Sequence, residues 1–392
     1  MPGPLEGIRI LDFTMYQQGP VGTVMLAELG AEVWKVEPRT GDMIRGSDAS
    51  SDGFLNTFET YNRGKKSITV DVRTEAGREL VLRLGEHVDA VTDNFRPGVM
   101  DRLGIGYEAF RARNPKIIMA SASALGAEGP LAGRPGYDII GQAMGGVMTM
   151  QALGPDDEPR TLPGGSADQI GGTQLCVAVL SAIISRDRTG QGQKVETSLL
   201  GSQVYLQARH VIQYLHDGSQ HHERRRRMPS FTFYQARDGK WLVLGVIEQK
   251  TWDRLCMVLD ATHMLTDERF ALRKNHEQSR ALVEGELERL IAQRDRADWI
   301  ERLVEADIPC APVNSYEDLE SEEQAWANGY LAKVEHPNFG PIKVHGIPWR
   351  FSGTPATVPA AAPERGVETD SILQTAGLSS SEIAELRQQQ VI

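Results

Sequence analysis

Cysteine is scarce in this chain of 392 residues, and the three that occur, Cys176, Cys256 and Cys310, lie far apart. None belongs to a CxxC pair, so the sequence lacks both a disulfide scaffold and the ligand spacing of a structural zinc site. Few and dispersed thiols are typical of proteins from a reducing compartment. This predicts a cytoplasmic protein.

Long apolar runs are also missing. Because no stretch of about 18 consecutive apolar residues occurs, we predict no transmembrane helix. The start MPGPLEGIRILDF has no basic segment before an apolar one, so we expect no signal peptide. A net charge of −11 and a pI of about 5.4 disfavour nucleic acid and anionic membranes as partners. The four arginines at 224–227 could form a nucleic-acid patch, but a solvated linker is the better interpretation.

Residues 1–37 are typical of a βαβ unit. A β-prone apolar run at 8–13 is followed by apolar residues at helical spacing between Val21 and Leu29, and then by a second strand at 31–37. Short strands and helices continue to alternate up to about residue 150. This pattern indicates a doubly wound α/β region.

The turn of the first unit, MYQQGPVG, lacks the GxGxxG sequence of a dinucleotide-binding loop. Pro20 also removes a backbone N–H where a pyrophosphate would bind. The turn therefore disfavours an NAD or FAD site and favours a structural crossover with a proline near the helix start.

A second region of different character follows an apolar helix. The helix is predicted over residues 169–185, where apolar side chains recur at spacings of three and four. A polar stretch at 216–228 is consistent with a linker. From Phe231 onward, a strand pair around an Asp238-Gly239 turn and several amphipathic helices indicate a smaller α+β domain.

Six segments of the first 200 residues carry a family resemblance. They are GIRILDFTMYQQGP, LAELGAEVWKVEPRTGD, NRGKKSITVDVR, DNFRPGVMDRLGIGYE, NPKIIMASASALGAEGPLAGRPGYD and RDRTGQGQKVETSL. In their order and spacing they resemble the class III CoA-transferase family over most of residues 5–200. The C-terminal half resembles that family more loosely, through IPCAPV and a proline-rich return.

The resemblance implies a fold and an assembly. It implies a large doubly wound, Rossmann-like domain built from both chain ends, with a smaller α+β domain inserted and two subunits interlocked in a homodimer. We accordingly predict a large α/β domain at 1–200, a linker at 201–228, a small domain at 229–320, and a return to the large domain at 321–392.

The resemblance also assigns site residues. The family's catalytic aspartate matches Asp168, in the loop GGSADQIGG before the apolar helix. By motif position, the residues that contact CoA match Gln17, Arg39, Arg73, Asn94, Phe95, Arg96, Arg102, Gly136, Tyr137 and Asp138. Arg39 is displaced by one position because Pro38 intervenes. The glycine-rich loop that closes over the site in some members is missing between Arg227 and Gly245.

The residue types suit CoA transfer. A helix N-terminus favours a charged carboxylate, so we expect Asp168 to be ionised near neutral pH and to attack an acyl-CoA without a neighbouring base. Exchange of CoA through mixed anhydrides and an aspartyl-CoA thioester requires neither ATP nor a metal. We therefore predict acyl-CoA and a small carboxylic acid as substrates, with no metal and no permanently bound cofactor.

Alternatives remain open at this point. From the residues alone, Asp168 is better explained as a first-turn acid that stabilises its helix. An α-methylacyl-CoA racemase of the same fold needs an acid/base pair, and related racemases have a histidine where this chain has Tyr137, which is a poor base near pH 7. A CoA-binding scaffold without activity is a third hypothesis. The acyl donor and the acceptor acid cannot be predicted.

Overall fold

The structure, a computed structural model, describes residues 2–46, 49–50, 53–152, 157–219, 228–272, 276, 278–359 and 361–392. Its internal contacts divide the chain into two units. The large unit contains Met1–Gln151, Pro159–His221 and Gln324–Ile392, and the small unit contains Ala152–Glu158 and His222–Glu323. The arginine run at 224–227 lies outside the described residues.

Strands and helices alternate through the first part of the large unit. These elements are β1 (Arg9–Asp12), α1 (Gln18–Glu28), β2 (Glu32–Glu37), α2 (Asn56–Asn62), β3 (Lys66–Thr69), α3 (Glu75–Gly85), β4 (Ala90–Asp93), α4 (Val99–Arg102), α5 (Tyr107–Arg113), β5 (Ile118–Ser123), α6 (Asp138–Met144), α7 (Val147–Met150), α8 (Ser166–Thr189), β6 (Lys194–Ser198), α9 (Leu199–Leu206) and α10 (Ala208–Asp217). The βαβ unit predicted for residues 1–37 is thus present as β1, α1 and β2.

The six strands form one parallel sheet in the order β3-β2-β1-β4-β5-β6. Ile10 of β1 lies between Val33 of β2 and Ala90 of β4. The chain winds outward from β1 in one direction and from β4 in the other, so a crevice opens at the carboxyl ends of these two strands. The predicted α/β class is confirmed.

Both faces of this sheet are buried, as expected of parallel strands between helices. Neighbouring residues of β1 point to opposite faces: Ile10 packs in a cluster with Leu175 of α8, and Leu11 packs in a cluster with Leu80 of α3. Leu373, from near the C-terminus, belongs to the same cluster as Leu11.

Helix α8 is longer than the predicted 169–185. It begins after Gly165 and ends at Gly190, two glycines in the left-handed region with φ of 68° and 74°. Among the described helices, α8 is long and apolar enough to cross a membrane by length and composition alone. Its residues Leu175 and Val179 are fully buried against the sheet, so α8 is the central helix of the large unit.

The predicted linker at 201–228 is helical up to Asp217. Helix α9 starts directly after β6, where the Ser198 hydroxyl accepts a hydrogen bond from the backbone N–H of Gly201 and caps the helix. Helix α10 has apolar residues on one side only. The segment KVETSLLGSQVYLQ predicts a strand that runs into a helix, which is confirmed as β6 and α9, whereas composition misses α10 because the polar stretch begins within its last turn.

The small unit combines a three-stranded antiparallel sheet with helices. Its elements are β7 (Phe231–Gln235), β8 (Trp241–Gly245), α11 (Gln249–Val258), α12 (His263–Thr266), α13 (Glu268–Ala271), α14 (Arg280–Ile291), α15 (Arg296–Glu305), β9 (Cys310–Pro312) and α16 (Tyr316–Glu320). The predicted strand pair is present as β7 and β8, with Gly239 at a φ of 75° in the turn between them. Trp252, Leu255 and Leu287 are fully buried in its core.

The chain ends in the large unit. The last elements are α17 (Glu323–Ala327), β10 (Leu331–His336), β11 (Gly340–His345), α18 (Thr369–Thr375) and α19 (Ser380–Gln388). The backbone N–H of Asp71, beyond β3, donates to the carbonyl of Val391 at 2.8 Å, and the backbone N–H of Ser67 donates to the carboxylate of Glu368 at 2.8 Å. These bonds and the shared core attach the C-terminal segment to the edge of the sheet formed by β3.

Candidate active site

The start of helix α8 is built from glycines. Gly164 and Gly165 have φ of 74° and 68°, a region that favours glycine. A Cβ on Gly165 would lie 2.5 Å from the side-chain nitrogen of Gln17, so a larger residue here would displace the Gln17 amide. Gln17 in turn donates from Nε2 to the carbonyl of Gly164 at 3.1 Å. The loop before α1 and the loop before α8 are therefore joined next to the first turn of α8, which contains Asp168.

The cap of helix α8 comes from another helix. Gly165, at the N-cap position, has no side chain to accept from the first N–H groups. Instead, Oδ1 of Asp138 accepts from the backbone N–H of Ala167 at 2.8 Å and of Asp168 at 3.2 Å. Asp138 is itself the first residue of α6. The starts of α6 and α8 therefore meet at one carboxylate.

Asp168 is half-buried in the first turn of α8. Burial, together with the negative charge of Asp138, raises its pKa to about 7. The expectation that the helix N-terminus keeps Asp168 ionised near neutral pH is therefore wrong, because a carboxyl with a pKa of about 7 is partly protonated there. A carboxyl with a pKa close to the surrounding pH is a frequent feature of active sites.

A cavity of about 220 Å³ opens in front of Asp168. Seven of the residues assigned from the family resemblance line it: Gln17, Asn94, Phe95, Arg96, Gly136, Tyr137 and Asp168. Tyr16, Gln18, Pro97, Ala124, Arg134, Pro135 and Leu199 complete the lining. The cavity lies at the carboxyl ends of β1, β4 and β5, where ligands of open α/β sheets bind.

The remaining assigned residues lie outside this lining. Arg39 and Arg73 follow β2 and β3, and Arg102 ends α4. Arg73 forms a two-pronged ion pair with Asp71, with both N–O distances at 2.8 Å. Hydrogen bonds from Arg73 lower the pKa of Asp71 to about 2. Asp138 is connected to the site through the start of α8.

Asn94 holds the loop that precedes α1. Its Oδ1 accepts from the backbone N–H of Met15 at 2.8 Å, and its Nδ2 donates to the carbonyl of Met15 at 2.7 Å. The next residue, Tyr16, has a φ of 61°, which is rare for a residue with a side chain. The amide of Asn94 thus fixes a strained loop, and this role was not apparent from the motif.

Sequence reasoning missed a buried charged network under the same loop. Lys35 and Lys65 are nearly inaccessible, and their ammonium groups lie 2.9 Å from Asp42 and 3.1 Å from Asp12. Burial alone would raise the pKa of Asp12, but the two lysines lower it to about 2. Asp12 accepts a hydrogen bond from the backbone N–H of Thr14 at 2.9 Å, and Lys35 donates one to the carbonyl of Thr14 at 2.8 Å. The one available signal was the lysine within the apolar strand EVWKVE.

Helices α1 and α8 cross through glycines, which brings their starts together. A Cβ on Gly22 would lie 2.6 Å from the carbonyl oxygen of Gly172. A Cβ on Gly172 would lie 2.4 Å from the carbonyl oxygen of Gln18. No side chain fits between the two backbones at this crossing. The distance between the Gln17 loop and Asp168 is therefore set by the glycines of both helices.

A smaller cavity, of about 30 Å³, adjoins the first and shares Phe95, Arg96 and Pro97 with it. The carboxylate of Asp93 lies in its wall, where burial raises the pKa to about 6 although the Ser121 hydroxyl donates to it at 2.6 Å.

In the part of the chain that the structure describes, no group of three or more His, Cys, Asp or Glu side chains is arranged to hold a metal ion.

Comparison with known proteins places the chain in a family. The sequence profile of CoA-transferase family III matches residues 5–369. The chain is 31% identical to the succinyl-CoA–D-citramalate CoA-transferase of Chloroflexus aurantiacus, over 100% of this chain and 98% of the relative. It is 32% identical to the acetyl-CoA:oxalate CoA-transferase of Acetobacter aceti, over 90% of each.

A solved structure agrees with this placement. The crystal structure of a CaiB/BaiF family protein from Brucella suis superposes with a TM-score of 0.85 and 31% identity, over 96% of this chain and all of the other. The chain belongs to CoA-transferase family III and is an enzyme of that family. The resemblance found in the six sequence segments is confirmed, and the racemase alternative is not favoured.

Proposed function

We propose that the enzyme transfers CoA from an acyl-CoA to a carboxylic acid by forming covalent intermediates on Asp168. One observation carries the proposal: the Asp168 carboxyl lines the cavity at the start of α8, with a pKa close to neutral. A carboxylate in this position is a nucleophile that requires only the loss of its own proton.

The steps balance without a further reactant. The Asp168 carboxylate attacks the thioester carbon, and the C–S bond breaks to give a mixed anhydride and CoA thiolate. The thiolate attacks the aspartyl carbonyl, which gives an aspartyl-CoA thioester and releases the donor acid. The acceptor carboxylate attacks this thioester, and its C–S bond breaks to give a new mixed anhydride and CoA thiolate. The thiolate then attacks the acceptor's carbonyl, and the Asp168 carboxylate is restored.

The charge around the cavity suits these reactants. Arg96 and Arg134 line it and supply positive charge for anionic substrates. Arg39 and Arg73 follow strands β2 and β3, and Arg102 ends the helix that comes after β4, so all three come after the carboxyl ends of strands of one sheet, where we propose that the phosphates of a long CoA molecule extend. We therefore retain the three arginines as proposed CoA contacts.

A homodimer is proposed on the exposed surface of α8, α9 and α10. No side chain of α10 is buried within this chain. Exposed apolar residues on the three helices are Val177, Ile184, Val204, Tyr205, Leu206, Ile212, Tyr214 and Leu215. Apolar area of this kind is typical of a subunit interface, and we propose that a second copy of the chain covers it in an interlocked dimer. Sedimentation at decreasing concentration tests this, because an active monomer would contradict it.

A cytoplasmic location stays a prediction.

A transfer assay tests the catalytic proposal. Succinyl-CoA and acetyl-CoA serve as donors against a panel of mono- and dicarboxylic acids, and new acyl-CoA is quantified by chromatography. We expect Asp168→Asn to lower the transfer rate about a thousandfold or more, because the amide is a poor nucleophile. Asp187→Asn, an acid at the other end of α8, is the matched control and should retain wild-type rates. Transfer by the Asp168→Asn enzyme at a rate close to that of the wild type would overturn the proposal.

A further inference from the structure

The first turn of α8 is held from outside, by two side chains of α6. Gly165 cannot cap the helix, and Oδ1 of Asp138 supplies the missing acceptor for the N–H groups of Ala167 and Asp168. The second of these N–H groups belongs to the proposed nucleophile itself. The position of the Asp138 carboxylate therefore bears directly on the backbone of Asp168.

Asp138 is held in turn by Gln142, one helical turn along α6. Gln142 is only 1% exposed. Its Nε2 donates to Oδ2 of Asp138 at 2.6 Å and to the carbonyl of Leu162 at 3.1 Å, and its Oε1 accepts from the N–H of Leu162 at 2.8 Å. One buried amide thus fixes both the Asp138 carboxylate and the segment that leads into Gly164 and Gly165.

Helix α6 packs closely against the start of α8 and against α9. A Cβ on Gly141, between the two polar residues, would lie 2.6 Å from Cβ of Leu199 and 3.2 Å from Cβ of Ala167. The hydroxyl of Ser202 in α9 donates to the carbonyl of Ala167 at 3.2 Å. Helices α6 and α9 therefore both contact Ala167, the residue that precedes Asp168.

We propose that Asp138 and Gln142 are positioning residues, which orient the first turn of α8 and thereby aim the carboxyl of Asp168 into the cavity. This inference rests on the proposed function of Asp168. Asp138 is outside the lining of the cavity in front of Asp168, whereas its carboxylate bonds to the start of α8. The buried Gln142 and the half-buried Asp138 form a hydrogen-bonded bridge from α6 to the backbone of the nucleophile.

The Asp138 carboxylate has a second effect, through its charge. It adds to burial in raising the pKa of Asp168. The other charged or titratable side chains that line the same cavity are Tyr16, Arg96, Arg134 and Tyr137. Because a raised pKa favours the protonated form, removal of the Asp138 charge should extend the active, ionised form of Asp168 to lower pH.

Three variants separate position from charge. Asp138→Ala removes both the acceptor and the charge, and we expect kcat to fall about tenfold to a hundredfold while KM for acyl-CoA changes little. Asp138→Asn keeps an oxygen that can accept from the α8 N–H groups, so it should recover much of kcat. Both should shift the acid limb of kcat/KM to lower pH. Gln142→Leu should lower kcat without this shift, since the charge remains.

The rates of acyl-enzyme formation, followed by intact-protein mass spectrometry, provide the decisive readout. We expect Asp138→Ala to form the adduct more slowly than Asp138→Asn, and both to form it more slowly than the wild type. Equal adduct rates in the wild type and Asp138→Ala would overturn the inference, as would a raised KM for acyl-CoA with unchanged kcat, which indicates a CoA contact. Failure of the wild type to form any adduct on Asp168 would instead refute the proposed function.

Discussion

The large unit fully buries a pair of opposite charges beneath the loop that follows β1, whereas the ion pair between Arg237 and Asp295 of the small unit lies at its surface. Asp12 and Lys65 have 0% side-chain exposure, while Arg237 and Asp295 of the small unit are 62% and 46% exposed. Burial of charge is costly unless it is compensated by partners. Asp12 and Lys35 both bind the backbone of Thr14, just before Gln17. The comparison therefore shows that the protein buries charge where it has to fix the loop before α1.

The largest expected effect tests this difference directly. Lys65→Met leaves the buried Asp12 carboxylate without its nearest cation, and we expect the free energy of unfolding to fall by about 3–5 kcal/mol. Urea denaturation measures the change. Arg237→Met in the small unit is the control, because an exposed pair contributes little. If both variants lost the same stability, the buried network would have no special role.

The decrease of activity at low pH sharpens the comparison, because it depends on the Asp168 carboxyl. This carboxyl lines the same cavity as the loop that Asp12 and Lys35 hold. Asp168 must lose its proton to attack, and its pKa is raised to about 7. We expect kcat/KM for acyl-CoA to rise with pH up to about 7 and to fall about tenfold per unit below it. Stopped assays between pH 5 and 9 measure this profile. A profile that is flat down to pH 5 would indicate a normal aspartate.

The smallest expected effect concerns Tyr137, which is 64% exposed and makes an edge contact with Tyr16 at a ring distance of 6.0 Å. Tyr137→Phe removes one hydroxyl, and we expect a loss in kcat/KM of about 1 kcal/mol or less. Incubation with a 2-methylacyl-CoA in deuterated water should give no α-proton exchange. Rapid exchange that depends on Tyr137 would revive the racemase hypothesis.

Local sequence patterns predicted much of the fold. The strand at 31–37 and the apolar helix around Leu175 follow from side-chain periodicity, which depends only on near neighbours. The Asp238-Gly239 turn follows from a glycine at positive φ between two strands. Motif resemblance assigned half of the residues that line the cavity, because the matching segments include the loops that follow β1, β4 and β5.

The chemistry of the site could not be predicted in the same way. The pKa of Asp168 depends on burial and on Asp138, which lies 30 positions away in sequence. The cap of α8 is not apparent from Gly165, because its acceptor belongs to another helix. The sequence assigns Lys35 to an ordinary apolar strand and does not show that it is paired, because its buried partners Thr14 and Asp42 lie outside that strand. Contacts between segments that are distant in sequence determine all three features: the pKa of Asp168, the cap of α8 and the pairing of Lys35.

One measurement tests the central claim most directly: intact-protein and peptide mass spectrometry of the enzyme incubated with acyl-CoA and no acceptor acid. We predict an adduct of CoA on the peptide that contains Asp168, lost on addition of hydroxylamine and absent in Asp168→Asn. Wild-type transfer without any adduct on that peptide, or an adduct that maps to another residue, would contradict the account.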